Sequence, residues 1–206
     1  TEKKQNKLII ISSPSGAGKT TICKYLLKKM NDIELSISYT TRKKRINEKN
    51  GKDYFFTNNK DFIKLKKNKY FIETANNFNH YYGSPYKNIQ KAFKKNKNIL
   101  FDIDWQGAKQ LRKNFNKNQI IDFFILPPNK KELKRRLEKR GSDKKKEIKI
   151  RLSHAIDEIS HHSEYKYVLI NDNIHETVNS LIKIINHNVL INKLQNQVLK
   201  NLKFIK

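Results

Sequence analysis

The segment Ser13-Pro14-Ser15-Gly16-Ala17-Gly18-Lys19-Thr20, entered directly from the apolar run 8–11, constrains this chain more than any other feature. It reads as a buried strand feeding a glycine-rich loop that opens a helix. Glycines let the backbone curl so that several N–H groups face phosphate oxygens, Lys19 adds a point charge, and the Thr20 hydroxyl suits a magnesium ion. The spacing follows G-x-x-x-x-G-K-[ST] except that Ser13 stands in place of the first glycine. Residues 21–30 carry Ile22, Tyr25, Leu26 and Met30 on one stripe, so a helix is expected whose N-terminus aims at the bound anion. A plain turn between strand and helix has no need of Lys19 and Thr20 together. A nucleoside triphosphate held by residues 13–20 is therefore the first expectation.

A chain of 206 residues buries roughly 70% of its unfolded surface, enough for one core without staples. Its single cysteine, Cys23, falls in the expected helix and fits a buried thiol in a reducing compartment. No run approaches the roughly 20 apolar residues of a bilayer span, and no signal-peptide core is seen at the start, so the expected location is cytoplasmic, away from membranes. Net charge is +26, from 45 Lys+Arg against 19 Asp+Glu. Lysine is dispersed and travels with asparagine and isoleucine rather than forming one basic face. We read it as solvated surface that attracts anionic substrates, not as a nucleic-acid footprint.

Apolar runs at 35–39, 54–56, 70–72, 99–103, 120–126 and 167–170 alternate with helical patterns, which predicts an α/β fold around a mainly parallel sheet. No linker divides the chain. Segments 7–36, 91–128 and 166–187 are expected to form the core. Segment 37–90, with short strands, aromatics and the turn signal Asn50-Gly51, reads as a small mixed insertion. Segment 129–165 is nearly all helical, with Leu133, Leu137, Ile148, Leu152, Ile156 and Ile159 at helical spacing and Arg140-Gly141 closing its first helix, as in a mobile lid. Two anionic substrates that enter separately and are then shut off from water call for such a plan.

The acceptor side begins at Arg42 and Arg45, planar forks matched to phosphate oxygens, which together with the phenols of Tyr54 and Tyr82 suit a monophosphate. Along the chain come S-P-S-G-A-G-K-T, S-x-T-T-R-x-x-R, N-G-x-D-Y, F-I-E, Y-Y-G-S, L-x-D-I-D-W-Q-G, I-L-P-P, R-L-x-x-R-G, R-L-x-x-A-x-x-E-I and V-L-I-N-D. In that order, over about residues 8–187, they resemble the guanylate kinases.

The resemblance implies a P-loop fold and transfer of phosphate from ATP to GMP, and to dGMP, with magnesium. It places Glu73 against the adjacent N1–H and N2 donors of guanine, Ser38 and Ser84 at the base edge, and Asp104 near the amino group. Adenine would meet Glu73 with a lone pair, and such sites discriminate by roughly 10⁴ or more. Arg42, Arg45, Tyr54 and Tyr82 take the acceptor phosphate. Lid arginines Arg136, Arg140 and Arg151 join Lys19 and Arg42 on the transferring phosphate, because closing two polyphosphates together without cations is prohibitive. Asn171 borders the donor base or belongs to a helix-capping turn. Asp102 ends an apolar strand where P-loop proteins hold magnesium-bound water, while Asp104 suits the base or a helix cap; the two carboxylates' duties stay interchangeable at this level.

Other features read as structural. Arg135 points to solvent, Trp105 packs, and His154, His161 and His162 lie on the lid surface rather than around a metal. Residues 188–206 form a basic extension, with Leu190, Leu194, Val198 and Leu202 on one helical stripe suited to packing or a homodimer. A catalytically silent phosphopeptide-binding relative would have lost Lys19 or the lid arginines. A phospho-sugar kinase would have no use for Glu73 and Ser84.

Overall fold

Leu8, Ile9, Ile10 and Ile11 are all fully buried, because β1 (Leu8–Ser12) is the middle strand of a five-stranded parallel sheet covered on both faces. The computed structural model describes residues 6–139 and 145–201. The sheet runs in the order β2 (Ile33–Leu35), β7 (Asn98–Asp102), β1, β8 (Ile120–Leu126), β9 (Tyr167–Ile170). Ile9 and Ile11 face one side with Ile22 and Leu26 of α1 (Lys19–Lys29) and Leu181 and Ile185 of α7 (Ile174–Asn201). Leu8 and Ile10 face the other, with Ile89 and Ala92 of α3 (Tyr86–Lys94) and Ala108 and Leu111 of α4 (Trp105–Asn114). Two-sided burial explains why β1 and β8 read as continuous apolar runs rather than alternating ones.

A second sheet, order β4 (Phe55–Phe56), β3 (Tyr39–Thr40), β6 (His80–Pro85), β5 (Phe71–Asn77), carries the insertion together with α2 (Asn59–Lys67). Asn58 starts α2 by accepting a hydrogen bond from the Asp61 amide. The run 35–39 is not one strand: Leu35 ends β2 in the main sheet and Tyr39 begins β3 in the other. Its apolar side chains feed two cores, which period alone cannot separate.

The lid consists of α5 (Lys130–Lys139) and α6 (Lys145–Ser160), joined through Leu133, Leu137 and Ala155. Ile156, expected on the apolar stripe, is 52% exposed; the face toward α5 is carried instead by the small Ala155. The side chain of Ile148 lies outside the described residues, as do Arg140-Gly141. The extension expected from 188 is no separate element, because α7 runs unbroken to Asn201. Leu190 and Leu194 are exposed on it, and Val198 and Leu202 lie outside the described side chains. Among the described residues no helix is long and apolar enough to cross a membrane.

Candidate active site

At the carboxyl ends of the parallel strands the chain makes its phosphate loop. Gly18 caps α1 in the left-handed region at φ 96°, and a Cβ there would stand 2.6 Å from the Asn171 amide nitrogen, so glycine is needed twice over. Asn171 itself is buried; it donates to the Ala17 carbonyl at 2.7 Å and accepts from Thr177 at 3.2 Å. Its side chain braces the loop, and the cap of α7 is Asn173, which accepts from the amides of His175 and Glu176. Helix α1 begins at Lys19 rather than Thr21, which brings the lysine into its first turn.

Lys19 donates to Asp102 at 2.8 Å and to the Ile103 carbonyl at 2.9 Å, and Thr20 Oγ1 lies 3.5 Å from Asp102 Oδ2. Burial works to lower the Lys19 ammonium, yet the adjacent Asp102 carboxylate outweighs it and raises the group above its ordinary value. Asp102 thus sits at the lysine and threonine end. Asp104 follows two residues on, past the end of β7, where its Oδ1 accepts the Gly107 amide at 3.1 Å and caps α4. Burial raises the Asp104 carboxyl. Both readings of Asp104, pocket carboxylate and helix cap, hold together.

A cavity of about 150 Å³ is lined by Lys19, Ser38, Tyr54, Glu73, Tyr82, Asp102 and Asp104. Glu73 is 3% exposed and its Oε1 has no hydrogen-bond partner. Burial pushes its carboxyl up to about 7, with Asp104 adding to the effect and Ser84 opposing it. Ser38 and Ser84 hydroxyls meet at 2.9 Å beside it. A second cavity of about 260 Å³ is walled by residues 13–16 and Gly18 of the loop with Arg42, Arg45, Arg151 and Glu158, and it shares Lys19, Tyr54, Tyr82, Asp102 and Asp104 with the first. The two spaces therefore adjoin along a shared wall.

Three contacts escaped the sequence reading. Glu48 takes the Arg42 guanidinium at 2.7 Å and approaches Arg45 at 3.9 Å, holding both forks together. Burial opposes the charge on Arg42, but Glu48 outweighs it and the guanidinium rises further above its ordinary value. Glu158 of α6 accepts the Ser15 amide at 3.0 Å, so a lid carboxylate touches the phosphate loop. It lies seven residues, two helical turns, beyond Arg151, and that spacing is the signal that could have marked it. Gly107 is the third.

Arg136 reaches the Asn171 carbonyl at 3.1 Å and the Ala17 carbonyl at 3.5 Å, over the loop. Arg135 forks onto Glu132 at 2.7 Å from the exposed side of the same helix. Arg151 lies over the Phe78 ring at 5.6 Å on the cavity wall. Arg140 lies outside the described residues. The three histidines do not share a face: His154 meets Phe78, His161 stacks on Trp105 at 3.7 Å, and His162 contacts the Ile159 carbonyl. His154 lies within α6, which ends at Ser160, while His161 and His162 follow in a single 3₁₀ turn.

A family model described as guanylate kinase matches residues 5–188. The chain belongs to the guanylate kinase family. It is 44% identical over 183 residues to a guanylate kinase of Rickettsia prowazekii, covering 89% of this chain and 92% of the relative. To a guanylate kinase of Caldanaerobacter subterraneus it is 42% identical, covering 89% and 88%. The crystal structure of guanylate kinase from Anaplasma phagocytophilum matches with a TM-score of 0.76 at 34% identity, covering 90% of this chain and 87% of that one. The α/β fold is thus that of a guanylate kinase.

Proposed function

We propose that this guanylate kinase passes the terminal phosphoryl group of ATP to GMP, yielding ADP and GDP. One observation carries the reading: the cavity at the phosphate loop and the acidic pocket lie side by side, with Lys19 and Asp102 on the wall common to both. Donor phosphates on residues 13–20 would then face an acceptor phosphate on Arg42, Arg45, Tyr54 and Tyr82. Glu73, assisted by Ser38, Ser84 and Asp104, would accept the guanine donors, and its unpartnered Oε1 supports that use. Arg136 and Arg151, with Arg140 by resemblance, would balance the charge spread over the equatorial oxygens. No general base is needed, since the acceptor phosphate is already anionic.

Thr20 and Asp102 offer hard oxygen donors beside Lys19, a set that suits magnesium, with Asp102 acting through water. When bound, the ion neutralises charge on the phosphate oxygens. Lys19 leaves Asp102 for a phosphate oxygen as the nucleotide arrives, and the carboxylate is freed.

Coupled ADP-release assays with GMP, AMP, UMP and CMP test the proposal. GMP is expected to dominate, and Lys19→Ala to lose roughly a hundredfold or more in kcat with unchanged circular dichroism. Equal rates on all four acceptors, or normal turnover of the alanine variant, would overturn the assignment. A phosphopeptide-binding role has no observation in its favour here.

A further inference from the structure

Gly107 lies in the first turn of α4, where it meets both carboxylates of the acidic pocket. Its amide donates to Asp104 Oδ1 at 3.1 Å, and a Cβ built on it would stand 2.5 Å from Glu73 Oε2 and 3.1 Å from the Glu73 carboxyl carbon. Helix and strand cannot part to relieve that approach. The Gln110 side-chain amide donates to the Thr74 carbonyl at 2.7 Å and accepts the Thr74 amide at 3.0 Å, and Gln106 donates to the Asn76 carbonyl at 3.1 Å. Those bonds stitch α4 to β5 at Thr74, next to Glu73, and at Asn76. The far end of the Glu73 side chain is the one movable party.

We propose that Gly107 is a specificity-determining position: the missing side chain is the space in which the base-reading carboxylate rests. The inference rests on the reading of Glu73 as the residue that accepts the guanine donors. Any side chain at 107 pushes the Glu73 carboxylate off its resting place while leaving the Asp104 cap, which uses only the backbone amide, intact. Because alanine is a better helix former than glycine, Gly107→Ala separates fold from function. The helix gains and the base reading loses. Gly107 is a positioning residue, acting through Glu73.

Steady-state kinetics with GMP and AMP as acceptors, alongside thermal unfolding, test this on the full chain. Gly107→Ala is expected to keep or raise the unfolding midpoint and to keep the KM for ATP. Its ratio of kcat/KM for GMP over AMP should fall roughly ten- to hundredfold, the loss of a hydrogen bond to a charged group, chiefly through KM for GMP. Gly107→Ala/Glu73→Asp, whose carboxylate is one methylene shorter, should recover part of the lost preference relative to Gly107→Ala alone. Unchanged selectivity in Gly107→Ala, a variant that does not fold, or a double variant no better than the single one would each overturn the proposal. Glu73→Ala is the separating control. If it keeps guanine preference, the base reading fails; if it loses preference while Gly107→Ala keeps it, only the inference about Gly107 fails.

Discussion

Glu73, the residue proposed to read the base, is held in a state that costs the fold. A carboxylate normally ionises near 4.5, but here burial lifts the group to about 7, so between those values the folded chain holds a proton that the unfolded chain has released. Bound protons in the native state exceed those in the unfolded state, and stability falls as pH rises through this window. The loss reaches about 3 kcal/mol above pH 7 for a shift of that size. Glu73→Gln removes the titration. It should therefore be more stable than the parent at pH 8 and not at pH 4, as read by urea unfolding at the two values. Guanine binding needs the ionised form, so KM for GMP should fall as pH rises through about 7 in the parent and lose that component in the glutamine variant, which also corrects for the phosphate's own ionisation near 6. A flat difference between the two proteins across pH 6–8 would contradict the assignment. The carboxylate at this position was legible from the F-I-E motif. Its depth, its orphaned oxygen and the glycine that makes room for it were not, since they arise from a helix 34 positions along the chain.

At the scale of elements, α6 touches the phosphate loop through the bond from the Ser15 amide to Glu158 at 3.0 Å. Burial raises the Glu158 carboxyl, with Ser15 opposing that shift. Arg151 lies two turns earlier on the same helix and lines the same cavity. On the proposed reading, Glu158 would set the height at which Arg151 stands over the bound phosphates. Glu158→Ala should reduce kcat roughly tenfold, as expected for one hydrogen bond to a charged acceptor, with a smaller loss for Glu158→Gln, which keeps an acceptor oxygen. Equal kcat for all three proteins would show that the bond has no part in closure. Helical spacing revealed α5 and α6 because their apolar positions face each other locally. It misplaced Ile156, because exposure depends on which neighbour a helix meets, and a small residue such as Ala155 fills a close contact without a hydrophobic signal. The run 35–39 failed for a related cause: adjacent residues served two sheets.

For the whole molecule, net charge of +26 meets substrates that are both polyanions. The field draws them toward the cleft from beyond contact distance, and it is screened over about 10 Å at 0.1 M salt. KM for GMP and for ATP should therefore rise together, by about two- to fivefold between roughly 50 and 300 mM potassium chloride, with kcat little changed. A KM that stays constant would show that dispersed lysines are balanced near the cleft. Sequence by itself determined the α/β alternation and the phosphate loop, because each rests on contiguous residues whose backbone or side-chain chemistry is local, while the pocket around Glu73 was an expectation drawn from the family resemblance. Only tertiary structure decided which carboxylate neighbours Lys19, that Glu48 turns back onto the two arginines, that Asn171 braces the loop from inside, and that loop and pocket share a wall. Those facts depend on how segments fold onto one another, most of them distant in the chain and meeting at the carboxyl ends of the parallel strands, and distance in space is what a linear pattern leaves open.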